Sequence, residues 1–335
     1  MPNDHYVPQF LLKNFSCSDS KGQDQVWVYD KVQNTNQYKT KVRNICAEND
    51  YNFPEVEKLL SGLEGSAKAV IESIIKNKHI SHLSDLDKMT LQAFIVLQFC
   101  RTRNFRNRML DIQEYLRDKI VNDFGEEYLK DTPLLLEEDQ IKNFCTDYFF
   151  RNTSELAFHL SYKEWVLYEN THAQPLYCSD NPLVFHNEND FGPYGNIGFA
   201  VKGIQIYLPI SPILILSVSC HSNNDELRAE YSELQNNRNK LLATSLLSPR
   251  GYLIKDQNKQ SLDLIENEIQ KGKDRFKKIE KGLPLNFEYE TLKFFNGLQI
   301  RDSERFIISS ANDFSMADEY LNLYPHRRQG PRFEI

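Results

Sequence analysis

The sequence lacks the short motifs that identify several large enzyme classes. It contains no G-x-x-x-x-G-K-[ST], no H-E-x-x-H, no G-x-S-x-G and no G-x-G-x-x-G after a predicted strand. Each of these motifs has a physical role, which is to cradle a phosphate, bind zinc, expose a serine or approach a dinucleotide. Their absence disfavours Walker-type ATPases, zinc metalloproteases, α/β-hydrolases and dinucleotide-dependent enzymes.

The sequence also lacks an excess of positive charge and any long apolar run. Lys and Arg number 40 against 47 Asp and Glu, which gives a formal net charge of −7. Because non-specific binding to nucleic acid needs a basic field, a nucleotide or nucleic-acid partner is expected only at a local arginine cluster. No run approaches the roughly 18 apolar residues of a membrane span, and no leader precedes His5. We therefore expect a cytoplasmic protein that does not bind membranes.

Cysteine is scarce, and the six cysteines are scattered without a C-x-x-C pair. Zinc ribbons and redox motifs place paired cysteines a few residues apart, so this spacing disfavours both. We expect the cysteines to be buried free thiols.

The patterns that are present predict a single α+β domain over residues 1–335, with a mixed or antiparallel sheet and an inserted helical bundle. The 335 residues, 40% of them hydrophobic, can bury a sizeable core. The run QVWVYD at 25–30 alternates apolar and polar residues as a strand does, and YKTKVRNI is typical of a returning strand. We predict a helical subregion at 55–160 and strand-rich segments at 164–220 and 300–312.

Helical periodicity dominates the subregion 55–160. From Glu55 onward apolar residues recur every three or four positions, and Ser84 followed by acidic residues is typical of a helix N-cap. The run LQAFIVLQF continues directly into RTRNFRNR, and we expect both to lie on one helix. Two further helices are predicted at 225–247 and 262–281.

The first candidate functional residue is His5, in the opening run HYVP. A terminal segment frays unless it is tied down, and the apolar residues that follow Pro8 suggest that this one is packed in place. A histidine held there can act as a general base, as a metal ligand or as a hydrogen-bonded core residue. The sequence leaves these three roles open.

The second candidate is Glu64, on the first long predicted helix. Small and apolar residues surround it in LSGLEGSAKAV, and Glu57 lies seven residues before it on the same face. A carboxylate in such a place needs a metal, an arginine or a proton. A structural ion pair and a functional role are both consistent with the sequence.

The arginines of RTRNFRNR are the third candidate feature. On one continuous helix Arg101 and Arg108, seven residues apart, would share a face, while Arg103 and Arg106 would lie on another. Guanidinium groups at the end of an apolar helix suit carboxylates or phosphates. A solvated basic stretch is the structural alternative, and it fits Arg106 and Arg108 better than the first two arginines.

The fourth candidate feature is CSDNP at 178–182, which follows a predicted strand. Asp and Asn before Pro are ordinary turn residues, because both side chains can bond nearby backbone groups. The same geometry would also present the carboxylate of Asp180 and the amide of Asn181 at the edge of a sheet, where binding sites are common.

Seven segments taken in order resemble a family of bacterial proteins known as domain of unknown function 4238. They are HYVPQFLLKNF, VWVYDK, AENDYNF, VEKLLSGLEGSAKAVI, QFCRTRN, CSDNPL and LPISP. The family carries no settled activity, so the resemblance implies a site more than a function. It implies that the residues to watch are His5, Glu64, Arg101 or Arg103, and Asp180 with Asn181. Relatives of this kind look like accessory or mobile-element proteins, which suggests a role in phage defence by analogy.

The first functional hypothesis is a nuclease-like hydrolase acting on phosphodiester or nucleotide substrates. His5 would act as the base or a ligand, Glu64 and Asp180 would hold Mg²⁺ or Mn²⁺ or orient water, and Asn181 would complete the catalytic group. Substrate phosphate would be bound by residues of the arginine cluster and its surroundings, namely Arg101, Arg103 and Gln9.

The alternative is a non-catalytic ligand-sensing or protein-interaction module, in which the same His, Glu, Arg and Asp residues form a buried polar network. A third hypothesis, nucleic-acid binding through RTRNFRNR or PHRRQGPR, is weaker because both clusters are short and the chain is acidic.

Overall fold

The computed structural model describes residues 3–18, 22–33, 36–49, 54–131, 136, 138–191, 195, 197–247 and 259–331. Parts of the predicted features lie outside these residues: 50–53 of AENDYNF, 132–135 and 137 of the predicted helical subregion, 192–194 and 196 of the strand-rich segment 164–220, and residue 332 of PHRRQGPR.

Strands lie at both ends of the chain and in its middle. They are β1 Asn3–His5, β2 Cys17–Ser18, β3 Asp24–Asp30, β4 Asn36–Lys41, β5 Ala47–Asn49, β6 Glu164–Glu169, β7 Cys178–Ser179, β8 Val184–His186, β9 Gln205–Ser211, β10 Leu214–Ser219, β11 Leu285–Asn286 and β12 Phe306–Ser309.

The longest helices occupy the stretches between strand groups. The helices of the described residues are α1 Gln9–Lys13, α2 Pro54–Asn77, α3 Asp85–Cys100, α4 Arg103–Phe124, α5 Glu138–Ser161, α6 His221–Leu247, α7 Lys259–Glu280, α8 Tyr289–Asp302 and α9 Ser315–Leu323. None of these helices combines the length and the apolar composition needed to cross a bilayer.

The first sheet joins the two ends of the chain. Strand β3 pairs antiparallel with β4 along one edge, and with β2 and then β12 along the other. Strand β12 also pairs with β7, so that Ile308 lies opposite Val28 on one side and Cys178 on the other. This sheet therefore brings CSDNP beside the first predicted strand.

The second sheet is almost entirely antiparallel, in the order β11-β6-β10-β9-β8. Its single parallel pair is β11 with β6. Strands β9 and β10 are buried over most of their length, as their nearly continuous apolar sequence requires. A two-stranded pair of β1 and β5 completes the sheets. The predicted α+β class with mixed or antiparallel sheets is confirmed.

Helices α2 to α5 lie between β5 and β6 and occupy the predicted helical subregion. Ser84 caps α3 as predicted: its hydroxyl accepts a hydrogen bond from the backbone amide of Asp87, whose carboxylate in turn accepts one from the amide of Ser84. The strand predicted at 25–30 and the helices predicted at 225–247 and 262–281 are also confirmed, within a few residues at their ends.

The prediction of one continuous helix through LQAFIVLQF and RTRNFRNR is wrong. Helix α3 ends at Cys100, and α4 begins at Arg103. Thr102 has an extended backbone, and its hydroxyl accepts a hydrogen bond from the amide of Phe105 at 3.3 Å, which starts a new helix. Arg101 lies in the break, so its seven-residue spacing from Arg108 does not place the two side chains on one helix face.

One large core joins the N-terminal segment, the helices α2 to α5 and both larger sheets. A second, more aromatic core packs α8 and α9 between the two larger sheets, around Tyr29, Tyr177 and Phe295. All six cysteines are free, as predicted; four of them are buried, whereas Cys17 and Cys220 are partly exposed.

Candidate functional site

The N-terminal segment is tied down by its backbone and its apolar side chains. His5 pairs with Ala47 in the β1 and β5 ladder, and the amide of Tyr6 donates to the carbonyl of Cys46 at 3.0 Å. Beyond Pro8 the short helix α1 buries Leu11 and Leu12 completely. The expectation of a packed start is therefore confirmed.

Arg101 holds this segment from the helical side. Its Nε donates to the carbonyl of Tyr6 at 3.0 Å, and its Nη2 donates to the carbonyl of His5. Gln98 donates to the same Tyr6 carbonyl at 3.1 Å. Only 4% of the Arg101 side chain is exposed, because the break after α3 turns it inward. We call Arg101, Gln98 and Glu64, with the carbonyls of residues 5 and 6, the N-terminal clamp.

Glu64 supplies the negative charge of the clamp. It accepts a hydrogen bond from Nη1 of Arg101, and 23% of its side chain is exposed. The buried guanidinium thus has a carboxylate partner, which is the ordinary condition for burying an arginine. This contact is the structural ion pair that the sequence left open.

Arg103 lies beside the clamp on the other side of Tyr6. Its guanidinium stands 5.3 Å from the centre of the Tyr6 ring and pairs with Glu48, which follows Ala47 in β5. Since Arg101 is buried and Arg103 is paired, the first two arginines of RTRNFRNR do not form part of an exposed basic stripe.

Asp180 binds backbone rather than side chains. Its carboxylate accepts hydrogen bonds from the amides of residues 304, 305 and 306 at 2.9, 2.8 and 3.0 Å. The residue is 1% exposed, and burial raises the pKa of Asp180, while the three amides and the nearby charge of Lys31 oppose that shift. Asn181 donates to the carbonyl of Asp302 at 3.1 Å. Both side chains thus fasten the CSDNP turn to the entry of β12.

Three buried groups that the sequence did not single out lie close to these residues. Burial raises the pKa values of the Tyr6 hydroxyl and the Cys46 thiol, and the charge of Asp180 raises both further. Lys31 is fully buried and donates to the carbonyls of residues 300 and 303, and burial lowers its pKa to about 8. Tyr6 follows His5 directly and could have been noticed, whereas Lys31 carries no sequence signal.

The structure gathers some of the predicted site residues and separates others. Five of the predicted residues lie together at the N-terminal segment. His5 and Gln9 belong to it, and the Gln9 amide lies 3.5 Å from Nδ1 of His5. Around the segment lie Glu64, Arg101 and Arg103. Asp180 makes none of these contacts, but its charge raises the pKa values of the neighbouring Tyr6 and Cys46 and of Arg103. Asn181 instead contacts the end of α8.

The predicted metal ligands do not fit a shared Mg²⁺ or Mn²⁺ site. Glu64 is paired with Arg101, and both oxygens of Asp180 accept backbone amides. Across the described part of the chain, no three His, Cys, Asp or Glu side chains are grouped so that they could hold a metal ion.

A cavity of about 590 Å³ lies away from these residues, between α7 and the second sheet. We call it the aromatic cavity. Phe295 of α8 lines it, and the centroid of its ring lies 5.0 Å from that of Tyr207 and 5.4 Å from that of Tyr168. Phe287 and Phe294 add further rings, and α7 contributes all the charged side chains named for its wall except Glu288.

A second cavity of about 270 Å³ adjoins the first, because Tyr168 and Arg275 line both. We call it the amide cavity. Its wall is rich in side-chain amides and carboxylates: Asn189, Gln205, Asn223, Asn224, Glu226 and Glu230.

A third cavity of about 290 Å³ opens beside α1. Its wall contains Gln9 together with Lys13, Lys41 and Arg43, and we call it the basic cavity. Lys13 also lies 3.6 Å from Asp24, an acidic residue of this wall.

Comparison with known proteins supports a family assignment. The family model described as "Protein of unknown function (DUF4238)" matches residues 3–313. No curated protein and no solved structure matches the chain.

Replacing Arg101 with Met tests the clamp. We expect Arg101→Met to lower the free energy of unfolding by about 3 kcal/mol, because it leaves Glu64 without its cation and two carbonyls without donors. Urea denaturation followed by circular dichroism measures the change. Arg117→Met, an exposed site on α4, is the matched control and should change stability by less than about 0.5 kcal/mol. Equal effects of the two variants would show that the clamp contributes little.

Replacing Asp180 with Asn separates a structural role from a catalytic one. The new NH₂ group would face backbone amides that need an acceptor, so we expect a loss of about 2 kcal/mol in the free energy of unfolding. Asp263→Asn, at an exposed site on α7, serves as the control in the same denaturation experiment. A carboxylate retained only for catalysis would give the opposite result, with Asp180→Asn as stable as wild type or more so.

Proposed function

The chain belongs to the DUF4238 family, and we propose that it is a cytoplasmic ligand-sensing module whose ligand occupies the aromatic cavity. The observation that carries this proposal is the cavity itself. Small-molecule sites are concave, measure about 300–1,000 Å³, and combine apolar and aromatic walls with a few polar groups. A volume of about 590 Å³ bordered by rings and by the charged face of α7 has this composition.

The rings of the cavity are already packed against one another. Besides its contacts with two tyrosines, Phe295 lies 5.2 Å from Phe287 and 5.6 Å from Phe294, measured between ring centroids. Rings fixed in this way lose little conformational freedom when a ligand enters, which favours binding. Flat ring faces suit a planar ligand.

The N-terminal clamp supports sensing over catalysis. The guanidinium of Arg101 and the carboxylate of Asp180 are both used to hold backbone groups. A polar network of this kind rigidifies a fold, and here it commits three N–H groups of Arg101 and both carboxylate oxygens of Asp180 to structural contacts. The six free cysteines fit a reducing compartment, which supports the cytoplasmic part of the proposal.

Gly272 provides a way to test the aromatic cavity. A Cβ at this position would lie 2.2 Å from the ring of Tyr231, which comes from α6 and lines the cavity. Gly272→Ala therefore forces the Tyr231 ring to move. In a thermal-unfolding screen of nucleosides, nucleotides and other planar metabolites, we expect at least one compound to raise the Tm of wild type by several degrees. The same compound should have little effect on Gly272→Ala.

The matched control is Gly65→Ala on α2, where an added Cβ meets no atom within 4 Å. It should respond to the compound as wild type does. Equal shifts in the two alanine variants would place the ligand outside the aromatic cavity. A screen without any shift would count against sensing of planar ligands.

A second candidate function is hydrolysis of nucleotides or phosphodiesters with His5 as the base. The observation that favours it is the basic cavity, where Lys13, Lys41 and Arg43 could hold a phosphate and Gln9 connects the wall to the His5 ring. In this proposal Arg101 and Asp180 position the N-terminal segment and do not touch the substrate.

His5→Ala distinguishes the two functions. For a hydrolase we expect His5→Ala to keep the Tm of wild type and to lose at least 100-fold in hydrolysis of DNA, RNA or nucleotides, assayed with Mg²⁺ and with Mn²⁺. His326→Ala, at an exposed site, is the control and should keep full activity. A lower Tm for His5→Ala, with no hydrolysis by either protein, would instead support the sensing module.

A further inference from the structure

Arg275 stands where the aromatic cavity and the amide cavity meet, and it lines both. It also contacts the hydroxyl of Tyr168, the other residue that the two cavities share. A ligand larger than the aromatic cavity would therefore pass Arg275 to reach the amide cavity. A ligand that spans both cavities would thus meet three chemically different environments: the aromatic cavity, the guanidinium of Arg275 and the amide cavity.

The guanidinium of Arg275 has an unused donor. Its Nε is buried and finds no hydrogen-bond acceptor among the residues that the structure describes. A buried N–H without an acceptor is costly, so such a group in a cavity wall indicates a missing partner. Its neighbour Lys271 differs, because that side chain pairs with Glu268 at 2.7 Å. Arg275 is thus the cation on this wall with a buried donor to offer a ligand.

The chemistry of that donor favours a phosphate. A guanidinium presents several N–H groups in one plane, which match two oxygens of a phosphate or carboxylate at once. The carboxylates of Glu226 and Glu230 line the amide cavity, so an anionic group is repelled from that end. The anion is expected to stay at Arg275.

The amide cavity suits hydroxyl groups. Side-chain amides both donate and accept hydrogen bonds, and carboxylates accept them from hydroxyls. Gly203 belongs to this wall with a φ of +78°, and a Cβ there would lie 2.1 Å from Nδ2 of Asn189. Glycine at this position therefore allows Asn189 to approach the backbone and to complete the wall.

We propose that the ligand is a nucleotide whose phosphate carries a sugar: its base lies among the rings, its phosphate meets Arg275, and its sugar enters the amide cavity. This inference rests on the proposed function, because it assumes that a ligand occupies the aromatic cavity. Stacking on aromatic rings accepts any base, so the selectivity of the site comes from the phosphate and the sugar.

Isothermal titration with adenosine, AMP and ADP-glucose tests the aromatic cavity, Arg275 and the amide cavity in turn. For wild type we expect AMP to bind at least ten-fold more tightly than adenosine, and ADP-glucose at least ten-fold more tightly than AMP. Arg275→Met should remove the advantage of AMP over adenosine and change the affinity for adenosine less than three-fold. Asn224→Ala, in the amide cavity, should lower the affinity for ADP-glucose and leave the affinities for adenosine and AMP unchanged.

Two further variants keep the comparison sound. Arg238→Met is the control, because Arg238 pairs with Glu266 on the surface of the same helical pair and lines neither cavity. It should leave all three affinities unchanged. Arg275→Gln replaces Arg275→Met if the latter fails to fold.

The outcomes separate this inference from the proposed function. If wild type binds AMP no more tightly than adenosine, or if Arg275→Met lowers the affinities for both compounds equally, the inference is overturned. Adenosine binding that Gly272→Ala abolishes would still support the aromatic cavity. If none of the three compounds binds while another planar compound raises the Tm, the inference falls and the sensing proposal stands. If no planar compound binds at all, both fall.

Discussion

The rest of this structure depends on the contacts of one buried group, the guanidinium of Arg101. It binds the carbonyls of two consecutive residues in the N-terminal segment, and its charge is balanced by Glu64 of another helix. One side chain thus joins a terminal strand to two long helices. Asp180 has the complementary role for the C-terminal region. Its carboxylate accepts hydrogen bonds from three backbone amides at the start of β12. The buried cation of Arg101 binds backbone carbonyls, and the buried anion of Asp180 binds backbone amides. Together they fix both terminal regions of the chain to the rest of the fold.

These two contacts also decide where ligand chemistry can occur. Polar groups that satisfy one another give a fold its uniqueness, but they have little left to offer a substrate. Arg101 and Glu64 of the N-terminal clamp, and both oxygens of Asp180, are engaged in this way. Arg275 is the opposite case, since its Nε is buried in a cavity wall and lacks an acceptor among the described residues. Arg101 is a structural arginine because it holds two backbone carbonyls and Glu64, whereas the Nε of Arg275, unpartnered in the described part of the chain, lies in a cavity wall and suits a ligand.

Much of the fold could be predicted from the sequence because its signals are local. Alternation identified β3, helical periodicity identified α2, and the N-cap signal at Ser84 indicated the start of α3. The break at Thr102 was missed because a single hydroxyl competes there with helix continuation. The candidate residues around His5 were found as a group, but their roles were not. Nothing in the sequence shows that Arg101 meets backbone carbonyls about 95 residues away, or that α7 covers a cavity on the second sheet.

The position of the aromatic cavity explains how binding could be sensed. Helix α7 meets α6 where the Tyr231 ring packs against Gly272, and it faces the second sheet at Tyr168 of β6. A phosphate at Arg275 would add charge-assisted hydrogen bonds at the point where α7, β6 and the amide cavity converge. The added contacts would favour the arrangement in which α7 lies close to the sheet. A ligand shifts an equilibrium only by its difference in affinity for the two states, and a bond between two elements supplies such a difference. Under the proposed function, the helical pair of α6 and α7 is the element whose position occupancy of the cavity would bias.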